Sequence, residues 1–116
     1  MTLPSVSLRQ LHSILAERIV DLQYARQPEV WKPYGSPGRE KSVRDAGYHL
    51  PYLAEAVEAD DAALFSEYLA WVKALFAGLK FPAEVLPVTL DCTRQALTEL
   101  LPPEEAAPAL AILEAG

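Results

Sequence analysis

The chain is poor in the residues that staple small proteins. It has one cysteine, Cys92, and two histidines, His12 and His49. An internal disulfide is therefore impossible, and zinc sites of four cysteines, or of two cysteines and two histidines, are excluded by count. No apolar run approaches the roughly 18 residues of a membrane span. No basic segment followed by an apolar block opens the sequence, so a signal peptide is not expected. Basic residues are also scarce. Ten Lys and Arg stand against 16 Asp and Glu, for a net charge of −6. Phosphates and anionic lipids need a basic face, so nucleic acid and membrane are not expected partners. The lone thiol fits a reducing compartment, and a cytoplasmic location is the expectation. Glycine-rich phosphate loops are missing. So is the Asp-x-Asp-x-Asp-Gly spacing of a calcium loop, although Glu55, Glu58, Asp60 and Asp61 cluster.

What the chain has in abundance is hydrophobic residues, 51% of 116. That supports one domain over residues 1–116 with its own core. The pattern is helical throughout, with no convincing strand alternation. Ser7 and Gln10 form a capping box, and Leu8, Leu11, Ile14, Leu15, Ile19 and Leu22 carry a first helix to about Arg26. Pro28, Pro33, Gly35, Pro37 and Gly38 predict a loop over 27–38, with Trp31 and Tyr34 packing back onto the body. A second helix is predicted over about 39–58, with Val43, Ala46, Leu50, Leu53, Ala54 and Val57 as its apolar stripe. Pro51 cannot donate to the Gly47 carbonyl, which predicts a kink there, or a break near Leu50.

Asp60 or Asp61 is expected to cap a third helix carrying Leu64, Phe65, Tyr68, Leu69, Val72, Leu75 and Phe76, with Gly78 past its end. Pro82 is expected at the first position of a fourth helix that ends at Pro102-Pro103. A shorter fifth helix follows over 104–114. The expectation is about five helices, with the second to fourth forming the core and residues 1–6 and 115–116 frayed.

The densest chemistry lies in Arg44-Asp45-Ala46-Gly47-Tyr48-His49-Leu50. A guanidinium, a carboxylate, a phenol and an imidazole fall within about two helical turns. With Tyr34-Gly35 before it and Ala59-Asp60 after it, this run resembles the phycobiliprotein subunits, over roughly residues 28–100. The resemblance implies an all-α, globin-like fold that binds a linear tetrapyrrole (a bilin). It implies Asp45 as acceptor for the pyrrole N–H groups and Arg44 as partner of a propionate, with Tyr48 and His49 lining the same site. Those residue types suit that chemistry. The family's linking cysteine stands two before the arginine, where this chain has Ser42. Serine forms no thioether, so a bilin such as biliverdin or phycocyanobilin would be held non-covalently. The arginine that closes the family's run is Pro51 here. The alternative expectation is a ligand-free regulatory or sensor domain of the same fold, acting through helix-mediated oligomerisation or on a partner domain.

Other readings of these residues are weaker. His49 is four after Asp45, which allows an Asp–His pair or a haem ligand oriented by that carboxylate. Ser42, His49 and Asp45 cannot act as a catalytic triad, because Ser42 and His49 are roughly 10 Å apart along a helix. No acid–base pair or nucleophile has workable spacing, so an enzyme is not expected. Cys92, beside Asp91, reads as an inert thiol, and His12 as a surface residue of the first helix.

Overall fold

The computed structural model describes residues 8–115, and among them every regular element is helical. After a helical turn at 8–10, the elements are α1 (His12–Arg26), α2 (Pro28–Trp31), a 3-10 turn (Lys32–Tyr34), α3 (Gly35–Ala59), α4 (Ala62–Gly78), α5 (Val85–Leu100) and α6 (Pro103–Ala115). The expected Ser7 cap and the fraying of 1–6 and 116 lie outside the described residues. Ala115 closes α6.

The 27–38 stretch is a correction to the sequence reading. Its prolines do not make a loop; they start helices. Pro28 and Pro33 sit in first turns, where a missing N–H breaks no helical bond. Gly35 begins α3 with φ +62, a conformation that suits glycine. Trp31 is buried as expected, stacked on Tyr24 at 5.4 Å between ring centroids and 5° between planes. Tyr34 stays half exposed.

Helix α3 runs unbroken through Pro51. Proline frees the Gly47 carbonyl, and His12 of α1 supplies the missing donor: its Nε2 lies 2.9 Å from that oxygen. The approach needs a glycine, since a Cβ on Gly47 would stand 2.7 Å from the same nitrogen. His12 is thus an interhelical tie, not the surface residue expected. Asp60 closes α3 in the left-handed region at φ 50. Asp61 caps α4, its carboxylate accepting from the Ala63 N–H at 3.0 Å. At the far end of α4 the left-handed residue is Lys80 at φ 63, two past the expected Gly78. Helix α5 begins at Val85, so Pro82 precedes it by a turn and Pro87 falls in its first turn.

Helix α1 packs chiefly on α3 and α5, so it belongs to the centre and the core is not confined to the next three helices. Leu15, Ala16, Ile19 and Val20 of α1 meet Leu50, Leu53 and Ala54 of α3, Phe65 and Val72 of α4, Cys92, Ala96 and Leu97 of α5, and Ala109 and Leu113 of α6 in one cluster. Each large side chain buried there contributes about 1.5–3 kcal/mol. A polar seam joins α1 to α5. Buried Gln23 donates to the Val85 carbonyl at 3.2 Å and to Thr89 Oγ1 at 2.8 Å, and Arg18 pairs with Glu99 at 2.7 Å. Helix α4 leans on α3 and α6 and has little direct contact with α5.

Candidate functional site

Helix α3 brings the four expected site residues to one stretch but does not enclose them. Arg44, Asp45 and Tyr48 are exposed and His49 is half-buried. No hydrogen bond or ion pair engages Arg44 or Asp45 among the described residues. The Asp45–His49 pairing allowed by sequence is not formed. His49 turns instead toward α4, where its Nδ1 lies 2.5 Å from the Tyr68 hydroxyl.

Burial controls both partners of that bond. It pulls the His49 imidazole down to about 4, so the ring is neutral at pH 7. Burial also raises the Tyr68 phenol well above its ordinary value, with Tyr52 and then Asp45 adding to the rise. A neutral imidazole therefore meets a protonated phenol. With Tyr68 O–H donating to Nδ1, the imidazole keeps its proton on Nε2. Such a pair fixes two side chains and supplies neither a phenolate nor an imidazolium at neutral pH.

Around this bond the sequence reading missed an aromatic surface. Tyr52, one turn after Tyr48 on α3, stacks on Tyr68 with centroids 4.0 Å apart and planes at 14°. Trp71, one turn after Tyr68 on α4, lies 6.3 Å from it. Phe65 closes the cluster from the core side at 5.9 Å. Trp71 is 62% exposed, Tyr48 57% and Tyr52 47%. Leu64 and Leu75, expected in the core, are 42% and 43% exposed, and seven- and four-residue spacing places them on the face of α4 that Trp71 occupies. The stripe on α4 is wider than one buried face because the helix is apolar almost all round. The sequence holds this signal: Leu64, Phe65, Tyr68, Leu69, Val72, Leu75 and Phe76 are more apolar residues than one face of a helix this short can bury.

Comparison with known proteins finds no matching family model, no matching curated protein and no matching solved structure.

Two clefts open elsewhere on the molecule. One, of 390 Å³, lies between Tyr24, Trp31, Lys32, Ser36 and Arg39. The other, of 630 Å³, runs between α4 and α5. Neither includes Arg44, Asp45, Tyr48 or His49. Among the described residues no group of three or more His, Cys, Asp and Glu is placed to hold a metal ion. The acidic cluster has other duties: Glu58 pairs with Arg9 at 3.3 Å, and Asp61 caps α4. Cys92 is fully buried, and burial pushes its thiol up.

Proposed function

We propose that this chain is a helical interaction module that pairs with a second copy of itself through the aromatic face of α3 and α4. The observation that carries the reading is the exposure of Trp71 and Tyr52, both packed on Tyr68, with Tyr48 exposed one turn before Tyr52, on a surface where neighbouring turns of α4 present Leu64 and Leu75. A helix that is apolar on nearly every side normally lies buried, so one face of α4 lacks its cover. Exposed aromatics at the centre of a patch are the usual anchors of protein interfaces. The rim suits a two-fold contact. Arg44 and Asp45 are adjacent, opposite in charge and without a hydrogen bond or ion pair among the described residues, so each can meet its opposite on the other copy. Sedimentation equilibrium tests it. The wild-type chain is expected to dimerise in the micromolar range, and Trp71→Lys to leave a monomer with unchanged helicity. A wild-type monomer across that range would sink the proposal.

A second reading keeps the bilin. It is supported by Asp45, Tyr48 and Tyr52, which follow one another a turn apart on α3, and by the rings of Tyr52 and Trp71, both packed against Tyr68, which offer aromatic surface to a planar conjugated ligand. On it, Asp45 would accept from pyrrole N–H groups and Arg44 would pair with a carboxylate arm. The ligand would lie on an open face and would be enclosed only by the second copy. Biliverdin titrated into the protein is expected to change its visible spectrum, and Asp45→Ala to weaken that change about tenfold. Identical spectra for free and mixed pigment would rule the reading out.

A further inference from the structure

Tyr68 is a buried phenol with one proton acceptor. It is 8% exposed, and its hydroxyl lies 2.5 Å from His49 Nδ1, the one hydrogen bond it makes among the described residues. The other tyrosines differ. Tyr34, Tyr48 and Tyr52 are exposed, and the Tyr24 hydroxyl faces that of Ser42 at 3.2 Å, which takes up no proton in water. Phe65 stands on the core side of Tyr68, so a charge left on its ring is costly. Loss of an electron alone would leave a radical cation there. Loss of the electron together with the hydroxyl proton leaves a neutral radical. The acceptor for that proton is neutral and already within hydrogen-bond reach. A phenol that has lost an electron is a strong acid, stronger than an imidazolium held down at about 4, so the proton moves to His49.

The surroundings of the pair fit that transfer. His49 is half-buried, and Asp45 lies one turn before it on α3 with no hydrogen bond or ion pair among the described residues. The Asp45 carboxylate contributes to the rise of the Tyr68 phenol, so its field reaches the site. It opposes a phenolate and favours the cation that proton transfer creates on His49. The electron has two ways out. Tyr52 stacks on Tyr68 at 4.0 Å, Trp71 lies 6.3 Å from it, and both reach solvent. Rings this close exchange an electron directly, with no cofactor between them.

We propose that Tyr68 and His49 form a one-electron redox centre. An outer-sphere oxidant of the metal-complex class, in contact with Trp71 or Tyr52, accepts one electron; the Tyr68 O–H bond breaks, and its proton forms an N–H bond on His49 Nδ1. The products are a neutral tyrosyl radical, an imidazolium and the oxidant reduced by one electron. Re-reduction returns the proton to Tyr68. Flash photolysis of the whole chain tests the assignment, with tris(bipyridine)ruthenium(II) as sensitiser and a cobalt(III) ammine as the sacrificial acceptor, so that ruthenium(III) is the oxidant. Electron paramagnetic resonance and transient absorption follow the radical. The wild-type tyrosyl radical is expected to outlive that of Tyr68→Phe by at least about tenfold, because radicals on exposed tyrosines decay by meeting one another. His49→Gln keeps a hydrogen-bond acceptor that takes up no proton, and should shorten the lifetime to that of Tyr68→Phe. Trp71→Lys, monomeric on the proposed pairing, should still form the radical through Tyr52, so the redox centre and the pairing fail separately. Circular dichroism melts establish that each variant is folded. A wild-type radical no longer-lived than that of Tyr68→Phe, or a folded His49→Gln protein with the wild-type lifetime, would each overturn the assignment.

Discussion

A histidine whose proton affinity is set by burial makes folding depend on pH. His49 titrates near 6.5 in an unfolded chain and is pulled down to about 4 here by burial. Between those values the unfolded chain binds more protons than the folded one, so stability falls as pH drops through that window. The contribution is fully present above about 6.5 and lost below about 4; its size is roughly 3 kcal/mol. Urea midpoints measured from pH 7 to pH 4 should therefore fall more steeply in wild type than in His49→Phe. Equal slopes in the two proteins would show that His49 does not titrate as its burial requires. Sequence made His49 conspicuous but pointed it at Asp45, four residues away on its own helix. Its partner, Tyr68, is 19 positions distant, and only the packing of α3 against α4 brings the two rings together.

At the level of the element, α3 shows how one helix can carry an internal proline. The lost N–H leaves the Gly47 carbonyl without an intrahelical donor, and His12 provides one from α1. Removing the imidazole leaves a buried carbonyl unsatisfied, so His12→Ala should cost about 1–3 kcal/mol in urea unfolding. Pro51→Ala restores the N–H within the helix. In the Pro51→Ala background the same His12 change should cost clearly less, and a double-mutant cycle with no coupling would refute the account. Half of this was legible beforehand. The i to i−4 rule names Gly47 as the orphaned acceptor from sequence alone. Which side chain would satisfy it was not legible, because His12 lies 35 residues away. The 27–38 segment failed for a different reason. Proline and glycine break a helix in its interior, yet at the first turn of a helix a proline breaks no bond and a glycine can take the turn that starts it.

At the level of the molecule, the two surfaces follow from one feature, the position of α4. It is supported by α3 and α6, stands clear of α5, and carries more apolar surface than its neighbours cover. One uncovered side is the aromatic face proposed to meet a second copy; the other lines the cleft beside α5. Trp71→Lys should abolish dimerisation in sedimentation equilibrium and leave the helical circular dichroism signal unchanged. The sequence by itself determined the helical class, most helix boundaries after residue 39, an aspartate cap at 60 or 61 and the stripe of α3, because these depend on 3.6-residue periodicity and on local capping chemistry. It also determined which residues carry chemistry on α3. Only the tertiary structure decided which of them meet. The central place of α1, the His49–Tyr68 bond, the Tyr52–Tyr68–Trp71 surface and the gap beside α5 all depend on how helices distant in sequence pack, and periodicity along one helix holds no information about its neighbour.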